Sequence, residues 1–132
     1  MIKSNYISDL VNLLLDGNDD ASIFKPQVEF LSELRREYTL MGLFVYFNHE
    51  NEILKYAVTE YKNVITGVKI YSTTYHLEGE VNLFVKDGKL DYLEIVYYQE
   101  SFPKADLDKY TLKQAWKNSP EKQISTESNT SI

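Results

Sequence analysis

The stretch Glu78–Tyr98, EGEVNLFVKDGKLDYLEIVYY, decides how this chain folds. Asp87-Gly88 at its centre favours a type I′ reversal, because both positions tolerate positive φ. The runs on either side alternate in polarity and are rich in β-branched and aromatic residues, so they read as the two strands of a hairpin. With a tight turn, Lys86 faces Lys89, Val85 faces Leu90, Leu83 faces Tyr92 and Val81 faces Glu94. That register sorts Val81, Leu83, Val85, Leu90, Tyr92, Val96 and Tyr98 onto one face, where Glu94 also falls. Glu80, Asn82, Phe84, Lys86, Asp91, Leu93, Ile95 and Tyr97 take the other. The second strand is apolar on both faces from Leu93 onward, which places it inside the sheet.

Upstream, Val68, Ile70, Ser72 and Thr74 alternate with Lys69, Tyr71, Thr73 and Tyr75 and predict another strand. Leu40 to Asn48, with Leu43-Phe44-Val45-Tyr46-Phe47, predicts a buried strand ended by Asn48-His49-Glu50-Asn51. Near the N-terminus, Ile7, Leu10, Val11 and Leu14 fall at i, i+3, i+4 and i+7, the stripe of an amphipathic helix from about Ser4 to Asp16 that Gly17 stops. Pro26 suits the first turn of a second helix, continued by Val28, Leu31, Leu34 or Arg35, and Tyr38. Residues 53–61 fit helix or strand equally, as do residues 105–116. Phe102-Pro103 ends the hairpin, since proline donates nothing to a ladder.

The expected architecture is α+β: two N-terminal helices packed on a four- to five-stranded, mostly antiparallel sheet. Residues 1–117 form one domain in this reading, and the polar residues 118–132 form a disordered tail.

Composition narrows the function classes. The chain has 132 residues, 20 acids against 14 bases and a formal net charge of −6, a field that repels phosphate backbones and argues against nucleic acid. No apolar run approaches the roughly 18 residues of a membrane span. Ile7 to Leu15 is broken by Ser8, Asp9 and Asn12 and lacks a small-residue cleavage site, so neither a signal peptide nor a membrane partner is expected and the cytoplasm is the expected compartment. With no cysteine, thiolate chemistry and disulfides are excluded.

Several stretches together resemble a family of small uncharacterised bacterial α+β proteins. They are Leu13-Leu14-Leu15-Asp16-Gly17, Gln27 with Leu31, and Thr39-Leu40-Met41-Gly42-Leu43-Phe44-Val45-Tyr46-Phe47. Further on come Glu80 with Leu83-Phe84-Val85, Asp87-Gly88, Leu93-Glu94, and Phe102-Pro103 followed by Tyr110 and Leu112. Met41 stands where the family commonly has glycine, and Phe102 where it commonly has tryptophan. The resemblance implies a compact α+β domain. Related small acidic bacterial domains include immunity proteins that block toxins, an analogy that implies a protein partner.

Three sets of residues carry chemical interest. Glu94, set among Tyr92, Val96 and Val81, reads either as a desolvated acid or ligand anchor, or as a carboxylate pinned by a tyrosine or a loop amide. His76, Glu78 and Glu80 alternate on one strand, and with His49 would make a weak cation site; a solvated strand face explains them as well, and no metal or cofactor is expected. Eleven tyrosines, among them Tyr56, Tyr61, Tyr71, Tyr75, Tyr97 and Tyr98, exceed what a small core takes up. Exposed rings beside acids make recognition surfaces, and tyrosine is equally a good strand residue. No Gly-x-Ser-x-Gly elbow or phosphate loop occurs, so whether the chain is an enzyme stays open.

The expected function is a non-catalytic protein-binding domain, of immunity type, that neutralises a basic toxin through an acidic, tyrosine-rich surface of Glu94, Tyr71, Tyr75, Glu78, Glu80 and Tyr97. The alternative is a small-ligand or enzymatic domain with a pocket between helices and sheet anchored by Glu94. A homodimer through exposed sheet surface is a further option.

Overall fold

A computed structural model describes residues 1–127. Among these described residues one α-helix, α1 (Asn5–Leu15), precedes seven strands: β1 (Leu31–Tyr38), β2 (Gly42–His49), β3 (Val64–Ser72), β4 (Leu77–Lys86), β5 (Lys89–Tyr97), β6 (Thr111–Gln114) and β7 (Gln123–Ser125). They form a single antiparallel sheet in the order β1-β2-β5-β4-β3-β6-β7. The class is α+β as expected, with more strands and one helix fewer.

The expected α1 forms. Ser4 caps it, its hydroxyl accepting from Ile7 N–H at 3.1 Å. At the other end the buried Gln114 side chain donates to the carbonyls of Leu13 (2.9 Å) and Asp16 (2.7 Å), groups a helix terminus leaves unpaired. Tyr6, Ile7, Leu10, Val11 and Leu14 are buried along it. They meet the inner sheet face, built from Val45, Leu93, Ile95, Val81, Leu83, Val68, Ile70 and Leu112.

The second helix does not form. Ser22–Phe30 is a 3-10 segment, and Leu31–Tyr38 is strand β1, paired to β2 across the short Thr39–Met41 turn. The i, i+3 spacing of Leu31 and Leu34 is compatible with a helix, but β2 is apolar on both faces and its open edge is satisfied by an adjacent antiparallel strand. Leu34 sits at a bulge and is 61% exposed, so the position predicted for the helical core points to water. Glu33, Arg35, Arg36 and Glu37 place charge along this edge strand, which discourages further pairing.

Of the two ambiguous regions, residues 53–61 begin in a short 3-10 segment (Asn51–Tyr56) and continue irregularly, while residues 105–116 contain β6. Within the stretch expected as a tail, Gln123–Ser125 forms β7 against β6. The last five residues of that stretch lie outside the described residues.

The Asp87-Gly88 reversal forms with φ of 51° and 76°. Lys86 faces Lys89 and Val85 faces Leu90 as predicted, but Phe84 then faces Tyr92, Leu83 faces Leu93, Asn82 faces Glu94 and Val81 faces Ile95. A bulge at Asp91 causes the change, inserting one residue into β5 between the two pairs. Because side chains alternate with period two, this one residue exchanges the faces of everything from Tyr92 to Tyr97. Leu93, Ile95 and Tyr97 go inward and are buried, while Tyr92, Glu94 and Val96 go outward.

Candidate recognition face

The outward exchange of Tyr92 assembles four rings. Tyr92 stacks on Phe84 of β4, with ring centroids 4.6 Å apart and planes 8° from parallel. On its other side it meets Tyr46 at 5.5 Å and Phe44 at 6.0 Å, both from β2. Phe44 and Tyr46 lie 6.2 Å apart. Arg35 of β1 lays its guanidinium over Tyr46, 3.9 Å from the ring centroid, a cation–π contact. All four rings are only partly buried, in contrast to their inward neighbours Val45, Leu83 and Leu93.

Acids border the rings. The Tyr46 hydroxyl donates to Glu37 at 3.4 Å, and Arg35 lies 3.7 Å from the same carboxylate. Asn82 Nδ2 donates to Glu94 at 3.1 Å. Further along, Lys69 Nζ donates to the Tyr98 hydroxyl at 2.9 Å, which in turn donates to Glu80 at 3.2 Å. The Lys69 ammonium is held above its ordinary range by its bond to Tyr98, with the nearby Glu80 adding to the effect against a small cost of burial. Tyr92 is raised by partial burial and by the proximity of Tyr46, Asp91 and Glu94.

The residues singled out from sequence divide between places. Tyr71, Glu78, Glu80 and Glu94 share this outer face, with Tyr71 opposite Glu78 and Glu94 opposite Asn82. Lys113 Nζ lies 5.4 Å from the Tyr71 ring centroid. Tyr75 sits in the β3–β4 turn, with its hydroxyl on the Asp108 carboxylate. Tyr97 is 1% exposed and belongs to the core, where its hydroxyl meets that of Tyr6 at 2.8 Å. Glu94 lies on the face opposite α1, and so is not placed to anchor a pocket between helix and sheet.

His76 occupies the β3–β4 turn with φ of 53° rather than strand β4, so it does not continue the row of Glu78 and Glu80. His49 is at the far end of the hairpin, with Nε2 2.6 Å from Leu90 O. Among the described residues no three His, Asp or Glu side chains are grouped to hold a metal ion.

Sequence alone does not gather Arg35, Phe44, Tyr46 and Tyr92 into one group. Asp91 was the available signal: a short acid, a poor strand former, marks the bulge that turns Tyr92 outward.

A second polar cluster lies where β1 meets the long loop between β5 and β6. Arg36 grips Glu33 with two bonds of 2.8 Å and also donates to Asp106, which accepts from the Ser4 hydroxyl at 2.5 Å. Burial disfavours the Asp106 charge, but Arg36 and Ser4 outweigh it and hold the carboxyl below its ordinary value. This network ties the start of α1, the edge strand and the loop together, and every member has a partner within it.

Neither a protein-family model, nor a curated protein, nor a solved structure matches this chain. No helix among the described residues is long and apolar enough to cross a membrane.

Proposed function

We propose that this chain is a non-catalytic protein-binding domain that presents the outer sheet face to a basic protein partner. The supporting observation is the cluster of Phe44, Tyr46, Phe84 and Tyr92, four partly exposed rings edged by Glu37 and Glu94. Rigid aromatic side chains give up little conformational entropy on binding, and they dominate interface hot spots. The rings hold one another in place across three strands, so the surface is pre-organised and little ordering cost remains at association. The net charge of −6 steers a basic partner toward it.

The concrete version is an immunity-type role, neutralising a basic toxin in the cytoplasm of the host. It rests on the resemblance to small bacterial α+β proteins together with acidity and this face. The alternative of a small-ligand or enzymatic domain anchored by Glu94 is less favoured, because Glu94 bonds Asn82 on the open face.

The test compares the native chain with the variants Tyr46→Ser and Tyr92→Ser as baits in extract of the host. Support requires an identified basic protein retained by the native chain, lost at least ten-fold in both variants and weakened by added salt. A partner held equally by native chain and variants, or a small molecule co-purifying in place of any protein, overturns the reading. Urea unfolding of each variant establishes that the baits are folded.

A further inference from the structure

The last described segment, Gln123–Glu127, is bound to the domain as a peptide ligand would be. Its backbone adds β7 to β6, with Lys113 opposite Gln123, Leu112 opposite Ile124 and Thr111 opposite Ser125. Thr126 N–H then donates to Tyr110 O at 2.8 Å. Three side chains complete the fit. Ile124 packs half-buried against the core, and the Thr126 hydroxyl accepts from Tyr110 N–H (2.9 Å) while donating to Asp108 O (2.8 Å). The Glu127 carboxylate enters the β3–β4 turn, accepting from Thr73 N–H (2.9 Å), the Thr73 hydroxyl (2.7 Å) and Thr74 N–H (3.4 Å), with the Ser72 hydroxyl at 3.1 Å. This is strand addition with one apolar, one hydroxyl and one acidic specificity position.

The segment is held by directional polar contacts more than by buried area, since Gln123, Ser125 and Thr126 are exposed. Its connector, residues 115–122, folds back tightly. Two of its non-glycine residues are in the left-handed region, Asn118 at φ 64° and Glu121 at φ 57°. Such backbone is strained for a side chain like that of glutamate, and straightening the connector relieves it. Extended, eight residues reach about 27 Å, enough to carry the strand onto a neighbouring molecule.

We propose that the β6 edge and the Ser72–Thr74 turn form a strand-addition site whose partner is the Gln123–Glu127 segment of a second copy of this chain, giving a dimer with reciprocally exchanged β7 strands. A second copy carries the same Ile124, Thr126 and Glu127 and so remakes each contact of the resident strand. The balance between closed monomer and exchanged dimer is then set by relief of connector strain against the entropy of association and the connector contacts given up, those of Lys122 with Gln114 and Asp16 among them. The site is separate from the aromatic face, which uses β1, β2, β4 and β5.

The absence of cysteine makes a direct test available. The Thr111 and Ser125 hydroxyls lie 2.8 Å apart across β6 and β7. Full-length T111C and S125C are mixed in equal amounts at high concentration, warmed to just below the unfolding midpoint, cooled and oxidised. A strand of one molecule seated on β6 of the other yields disulfide-linked heterodimer, expected at least ten-fold above the dimer formed by either variant alone. Mixed and single samples giving equal dimer, with both variants folded by circular dichroism, overturn the proposal. Adding Glu121→Gly to both variants relaxes the closed connector and is expected to lower heterodimer yield several-fold; an unchanged yield removes connector strain as the driving term and overturns strain-driven exchange.

Discussion

Gln27 and Leu90 form a buried pair across the core: the Leu90 N–H donates to Gln27 Oε1 at 2.9 Å, while Gln27 Nε2 donates to the carbonyls of Gly88 (2.8 Å) and Tyr56 (2.9 Å). One side chain from the Ser22–Phe30 3-10 segment thus fastens Gly88 of the reversal and the start of β5 to the Asn51–Tyr56 segment, and at Gly88 the backbone is too crowded for substitution: a Cβ there would lie 2.4 Å from Val58 O. Replacing Gln27 with Ala strands the buried Leu90 N–H and opens a void. The expected cost is about 2 to 4 kcal/mol, read as a lower urea midpoint with an unchanged slope.

The Tyr6 and Tyr97 hydroxyls satisfy each other inside the core. Removing one by Tyr6→Phe or Tyr97→Phe leaves the other buried and unpaired, at an expected cost of about 1 to 3 kcal/mol each. The double variant loses both groups together and is expected to cost clearly less than the sum. A double-mutant cycle by chemical unfolding measures that coupling, and additive costs would show the bond to be energetically idle.

Alkaline pH is expected to unfold this protein earlier than its acidic surface alone would. Burial pushes the Tyr97 phenol from 10.0 up to about 12, opposed in part by its bond from Tyr6, and burial likewise raises Tyr6 and Tyr110. The folded state therefore holds protons that the unfolded chain releases. Stability is fully present below pH 10 and falls as pH rises through the folded values, by roughly 3 kcal/mol for Tyr97 alone. Unfolding midpoints measured from pH 8 to 12 should drop, and the drop should be shallower in Tyr97→Phe.

At the acid end, Glu127 governs a local event. Burial disfavours its charge, but hydrogen bonds from Thr73, Thr74 and Ser72 prevail and hold the carboxyl below its ordinary 4.5. A depressed folded value means that the contact contributes fully above the unfolded value and is lost as pH falls through the folded one. Hydrogen-exchange protection of the Ile124 and Thr126 amides, measured relative to the intrinsic rate at each pH, should fall below that point while the β4 and β5 amides stay protected. In Glu127→Gln the same two amides should exchange faster at neutral pH, and their acid response should disappear.

What was legible in the sequence was local. Helix α1 could be read from four apolar positions and a stopping glycine, and the hairpin from two residues whose φ preferences match the turn. Glu78 and Glu80 lie on the open face that simple alternation gives them, because they precede the bulge. Tyr97 and Glu94 lie on the faces opposite to those expected, because they follow it.

The amino-acid sequence by itself determined where periodicity changes, where the chain reverses and how acidic the surface is, since these depend on neighbours a few residues away. The tertiary structure alone decided that residues 31–38 pair as β1, that Asp91 is bulged and that β7 seats on β6. Each depends on which distant backbone groups compete for the same hydrogen bonds. In a sheet, one inserted residue reverses every side chain beyond it, so the aromatic face exists only once that pairing is set.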